Sequence, residues 1–164
     1  MKSVEYLTEK RSGNFTFAGL NAGPAEFADT NHIDAELGHL VRGATRKALE
    51  RIVDLAIGET VDAVIIAGDL YDGSQTSMAT ALFLMEQMRR LDLAGIRVFV
   101  IRGNHDAQSQ ITRELTFPAN VHVFDGRGRP VLAGTLSNGR EVHVHGVSFA
   151  NPHAPASLLP TYRA

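Results

Sequence analysis

The sequence predicts an α/β fold built on a parallel core. Three observations carry that prediction. Ala63-Val64-Ile65-Ile66-Ala67 is a short, continuous apolar run rich in β-branched residues, and Ile96 to Ile101 is a second run, apolar except for Arg97, as buried strands are. Between them, Met78, Ala81, Leu82, Met85, Met88 and Leu91 recur at three- and four-residue steps, as one face of a helix does. Ahead of the first run a second helical repeat places Ala48, Leu49, Ile52, Val53 and Ala56 along one side. A strand–helix–strand unit across Ala63 to Ile101 makes its two strands parallel and its crossover right-handed.

The elements follow in order. In Asn14 to Leu20 apolar and polar residues alternate briefly, which suits a short strand, and Asn21-Ala22-Gly23-Pro24 reads as a turn. The first helix is expected over Thr45 to Ile57, with Thr45 as its cap and Gly58 in the left-handed position just past its end. Ser77 is placed to cap the second helix and Gly95 to end it. Beyond Pro118 the pattern changes to candidate strands at Val121 to Phe124, Val131 to Leu136 and Glu141 to Phe149. Asn138-Gly139 forms a hairpin turn between the last two. Ala150 to Ala164 carries three prolines and little periodicity.

Composition narrows the function classes. The 16 Lys and Arg against 18 Asp and Glu give a net charge of −2, which argues against a general electrostatic clamp on duplex nucleic acid. With no cysteine there is no disulfide, no thiolate metal site and no cysteine nucleophile. No apolar run approaches the roughly 20 residues that cross a bilayer. Glu5 and Glu9 interrupt any apolar segment behind Lys2, so no secretory signal is expected and a cytoplasmic location is.

In an open parallel sheet, ligands bind beyond the carboxyl ends of the strands. Two polar clusters fall there. The first run leads directly into Gly68-Asp69-Leu70-Tyr71-Asp72, and the second into Arg102-Gly103-Asn104-His105-Asp106. Asp69 and Asn104 therefore leave the same sheet edge and are expected within reach of one ion. A third cluster, Asp29-Thr30-Asn31-His32-Ile33-Asp34, precedes the first helix. Carboxylate, amide oxygen and imidazole together suit divalent manganese, iron or zinc better than magnesium alone. Taken singly, each cluster is ordinary turn chemistry. Gly-Asp-x-x-Asp and Gly-Asn-His-Asp, each abutting a buried strand and separated by one helix, form a more specific pairing.

These residues resemble the second and third motifs of the calcineurin-like metallophosphoesterase superfamily. Ala44-Thr45-Arg46, Val53-Asp54-Leu55-Ala56-Ile57, Ile66 to Gly73, Ile101 to Asp106 and His145-Gly146-Val147-Ser148-Phe149 resemble its DNA-repair exonuclease branch, related to the bacterial SbcD nuclease subunit. The resemblance covers residues 28–149, leaving 1–27 unmatched and 150–164 as a proline-containing tail. It implies an α/β/β/α sandwich, of which this chain would be the first half, with the parallel β-α-β core and a C-terminal hairpin.

The resemblance also implies an activity: a metal-dependent phosphodiesterase of the DNA exonuclease type, using metal-activated water and two divalent ions, manganese by expectation. Asp69 would bridge the two ions and Asn104 would bind the second. His105 would protonate the leaving oxygen, and Asp72 would hold the far nitrogen of His105. Asp29 and His32 would stand for the first motif. DNA would be the substrate and an ATPase subunit a partner. The alternatives are a catalytically incomplete remnant serving as an interaction domain, and a phosphatase or nucleotidase of the same superfamily.

The sequence departs from the family pattern in two places. The first motif is Asp-x-His in the family and Asp29-x-x-His32 here, one residue longer. Anchoring on Asp29 puts Asn31 at the histidine position, and anchoring on His32-Ile33-Asp34 puts Thr30 at the aspartate position. The family's later histidines, including a Gly-His-x-His pair, have no counterpart. His143 and His145 share a strand face but read as ordinary strand residues. Arg102 has two readings, a neighbour of the site or a solvated surface charge. An open half-sandwich is expected to expose apolar surface and to dimerise.

Overall fold

The computed structural model describes residues 17–20, 35–68, 78–103 and 116–149. The order of elements is β1 (Phe17–Leu20), α1 (Ala35–Gly58), β2 (Ala63–Ala67), α2 (Met78–Leu93), β3 (Arg97–Ile101), β4 (Val121–Val123), β5 (Pro130–Thr135) and β6 (Glu141–His145). Strands β1 to β4 form one sheet in that spatial order, every pair parallel. β5 and β6 form a separate antiparallel hairpin. The predicted parallel unit is β2-α2-β3, with Ala63 opposite Arg97 and Ala67 opposite Ile101.

Alternation along the central strands explains why both runs are apolar almost throughout. Val64 and Ile66 on β2, with Val98 and Val100 on β3, face a core filled by Val53 and Ala56 of α1 and Leu84, Met88 and Leu91 of α2. The intervening Ala63, Ile65, Phe99 and Ile101 face the other way, onto Phe124 and the hairpin residues Val131, Ala133, Val142 and Val144. Helices cover one side and a hairpin the other, so neither strand face can be polar. β1 pairs in register with β2, Phe17 to Ala63 through Leu20 to Ile66, and so joins this sheet from within the stretch that had no counterpart in the motif pattern.

Helix α1 starts at Ala35 rather than Thr45, running straight through Gly38 and Gly43. An interior glycine costs about 1 kcal/mol relative to alanine, too little to end a helix that is docked on a sheet. Its other end also differs from expectation. Gly58 is still helical, and the left-handed position is taken by Thr60 at φ 49°. Thr60 N–H donates to Ile57 O at 3.1 Å and Val61 N–H to Ala56 O at 3.1 Å, the paired bonds of a Schellman cap. Helix α2 closes in the same way with the expected glycine. Gly95, at φ 72°, donates to Asp92 O at 2.9 Å, and Ile96 donates to Leu91 O at 2.9 Å. The buried stripe of α2 is Ala81, Leu84, Met88 and Leu91 with Gln87, whereas Met78 and Leu82 are 65% and 63% exposed. The predicted face is rotated because Gln87, polar in sequence, is buried with its Oε1 accepting from Arg90 Nη1 at 2.8 Å.

The hairpin turns at Asn138-Gly139, as predicted, with Gly139 at φ 82° and Leu136 N–H donating to Arg140 O at 2.8 Å. A bulge at Leu132/Gly134 interrupts β5, and β6 ends at His145 rather than Phe149. Its inward side is apolar, while Glu141, His143 and His145 face out. Arg97 ties the hairpin to the start of β3: its Nη1 donates to Leu132 O at 2.6 Å and to Ala133 O at 3.4 Å, and its guanidinium lies 5.5 Å from the Phe99 ring centre. No helix among the described residues is long and apolar enough to cross a membrane.

Candidate active site

The carboxyl ends of β2 and β3 leave the sheet side by side. One residue past β2, Gly68 is buried and takes φ +91°, a conformation glycine reaches without the steric penalty of a side chain. A Cβ there would lie 2.9 Å from both Cα and N of Gly103, the buried second residue past β3. The two exits are therefore in backbone contact, and each contact residue is followed directly by a polar one, Asp69 and Asn104.

The end of β6 supports this edge. Gly146 sits where a Cβ would meet Phe124 Cδ2 at 2.3 Å and Ile101 Cγ2 at 2.8 Å, so only a hydrogen fits. The chain then passes over the β3 and β4 exits. Ser148 N–H donates to Asp125 O at 3.0 Å, and Phe149 N–H donates to Arg102 O at 2.9 Å. The Ser148 side chain is buried; its Oγ accepts from Arg102 N–H at 2.9 Å, and its hydroxyl donates to Phe124 O. Sequence reading noted Gly146-Val147-Ser148 only as part of a likeness. The signal it carried was a glycine and a small hydroxyl residue directly after a strand, a pattern suited to close packing.

Of the expected site residues, Asp29, His32, Asp69, Asp72, Asn104 and His105 all lie outside the described residues. Gly68 and Gly103, directly before Asp69 and Asn104, are described, and they fix where the chain departs for those two residues. Arg102 is half-buried, and its Nε is shielded from solvent with no hydrogen-bond partner among the described residues, which does not suit a fully solvated charge. His143 and His145 are exposed on the outer face of the hairpin, with His143 Nε2 3.6 Å from Glu141 Oε2. Among the described residues, no three His, Asp or Glu side chains converge as a metal site.

A parallel sheet whose glycine-lined strand ends release Gly-Asp-x-x-Asp and Gly-Asn-His-Asp defines a class, and comparison of the whole chain agrees with it. Residues 27–159, well over half of the sequence, match the calcineurin-like phosphoesterase family, and the chain belongs to it. Within that family the chain is similar to the uncharacterized metallophosphoesterase YhaO of Bacillus subtilis, at 32% identity over 75% of this chain and 30% of that protein. It is also similar to the DNA double-strand break repair protein Mre11 of Methanosarcina mazei, at 39% identity over 71% of this chain and 17% of that protein. The Mre11 of Haloferax volcanii shares 43% over 67% of this chain and 23% of that protein. The chain thus spans less than a third of the length of each of these relatives.

Proposed function

We propose that this chain carries part of the centre of a metal-dependent phosphodiesterase of the DNA exonuclease type. The observation that carries the reading is the contact between Gly68 and Gly103. With a Gly68 Cβ 2.9 Å from Gly103 Cα, chain connectivity keeps the Cα atoms of Asp69 and Asn104 within roughly 12 Å of each other. At that separation a carboxylate and an amide oxygen can reach a common cation. The donor set suits one: a carboxylate, an amide oxygen and nearby imidazoles match a manganese-type ion. Members of the family typically bind two divalent metals.

Each residue has a distinct task on this reading. Asp69 supplies the shared anion, and Asn104 a neutral oxygen that adds no further charge. Asp29 and His32 would supply the ligands of the first motif. Bound divalent ions would supply charge neutralisation at the phosphoryl oxygens and an activated water. His105 faces the phosphodiester and gives its proton to the leaving oxygen. Asp72 accepts from the other ring nitrogen, fixing the tautomer and raising the basicity of the ring. DNA as substrate and an ATPase subunit as partner are part of the proposal, supported by the similarity to the DNA double-strand break repair proteins named above. The longer Asp29-x-x-His32 spacing favours the second reading, a scaffold that binds one metal or none and serves as an interaction domain.

The test is hydrolysis of bis(p-nitrophenyl) phosphate with manganese. His105→Ala is expected to lower turnover by about 10²- to 10⁴-fold, the usual contribution of general acid catalysis, with manganese content unchanged. Wild-type turnover in that variant contradicts the role of His105. Absence of both turnover and manganese uptake in the wild-type chain supports the scaffold reading.

A further inference from the structure

We infer that the Ser148 hydroxyl replaces the last rung of the β3–β4 ladder and thereby steers the β3 exit against the β2 exit. Ser148 is in this sense a positioning residue for the site. The inference rests on the reading of that site given above.

In a parallel pair the hydrogen bonds are evenly spaced and alternate in direction along the strands. Val98 N–H donates to Asn120 O at 2.9 Å, and Phe124 N–H donates to Val100 O at 2.9 Å. Continuing that alternation, the next bond would run from Arg102 N–H to Phe124 O. Neither group bonds the other. Arg102 N–H donates instead to Ser148 Oγ at 2.9 Å, and the same hydroxyl donates to Phe124 O. One hydroxyl thus stands between two strand ends that would otherwise close on each other, with donor and acceptor both used. It spreads β3 from β4 at Arg102, the residue before Gly103, which contacts Gly68.

Burial shows that the insertion is built in. Ser148 is 5% exposed, and Val147 beside it is 3% exposed. Gly146 admits the approach by lacking a Cβ that would strike Phe124 and Ile101. Backbone bonds on both sides, Ser148 N–H to Asp125 O and Phe149 N–H to Arg102 O, hold the wedge in place. The consequence is that the hairpin, which supplies no ligand in this reading, sets the direction in which the chain leaves the sheet at Gly103.

The test compares the full chain with Ser148→Ala, Ser148→Thr and Met88→Ala, the last a core truncation in α2 that should destabilise without touching the sheet edge. In the metal-free protein, Ser148→Ala is expected to let Arg102 N–H bond Phe124 O directly and to shift the amide resonances of Gly103 and Gly68. Met88→Ala should leave both in place. On manganese titration, Ser148→Ala is expected to bind at least about tenfold more weakly, as loss of supporting hydrogen bonds around a metal site commonly does. Ser148→Thr, which keeps the hydroxyl, should recover most of that affinity. Unshifted Gly103 and Gly68 amides overturn the wedge whatever the metal does. Equal loss of affinity in Ser148→Ala and Met88→Ala reduces it to general stability and also overturns it. A wild-type chain that takes up no manganese overturns the reading of the site instead, while the amide shifts still decide the wedge.

Discussion

Gly68 and Gly103 touch through their backbones: a Cβ on the first would lie 2.9 Å from both Cα and N of the second. The parallel register, Ala67 opposite Ile101, brings the strands to this point, and the absence of a side chain on either residue lets them meet. The proposed chemistry depends on this contact, because the residues that follow it are Asp69 and Asn104.

Gly68→Ala should therefore be among the most damaging small substitutions in the chain. Alanine at φ +91° is strained, and its Cβ would meet backbone atoms that cannot rotate away. A loss of about 2–4 kcal/mol is expected, combining the conformational penalty with the forced separation of the exits. Urea denaturation measures it; a midpoint equal to wild type would mean the strands do not approach as described.

Thr60→Gly should do the opposite. Thr60 is exposed and left-handed at φ 49°, with no packing to lose, while a β-branched residue there costs about 1–2 kcal/mol. Relief of that cost, less the added freedom of glycine in the unfolded chain, predicts a gain of roughly 0.5–1 kcal/mol. The reverse change at the matching cap, Gly95→Ala, should destabilise by about 1 kcal/mol. Thermal denaturation of the two variants reads both signs, and a shift in the same direction would contradict the cap assignment.

Arg97 holds the hairpin at the opposite end of β3 from Ser148. Arg97→Ala removes a charged donor from Leu132 O and Ala133 O and its contact over Phe99. Because the side chain is exposed, a loss of about 1 kcal/mol is expected rather than the value for a buried charged bond. Arg97→Lys should recover only part of it, since a compact, strongly hydrated ammonium lacks the flat guanidinium that lies over Phe99. Full recovery by lysine would show that charge alone matters.

The parallel core was legible because its strands are buried on both faces, so Ala63–Ala67 and, after Arg97, Val98 to Ile101 stand out as continuous apolar runs. The hairpin turn was legible from Asn138-Gly139 for a local reason, the positive φ of Gly139. Helix α1 was expected to begin at its Thr45 cap, whereas it starts at Ala35 and runs through Gly38 and Gly43, whose cost tertiary docking overrides. Its cap was misplaced because Thr60, not Gly58, takes the left-handed turn. Gln87 was invisible as a core residue because its burial is satisfied by a bond from Arg90 that apolar periodicity does not register. At the site, the glycines before Asp69 and Asn104 were legible from the motif. The role of Ser148 was not, since it depends on a hairpin meeting a strand end 46 residues away in sequence.

Manganese affinity across a double-mutant cycle of Asp69→Asn and Asn104→Ala tests the central claim most directly. If both side chains serve one cation, each single change should weaken binding by tenfold or more and the double change little further, giving a large coupling energy. Losses that simply multiply would mean the two residues serve separate ions or none, and would contradict the account.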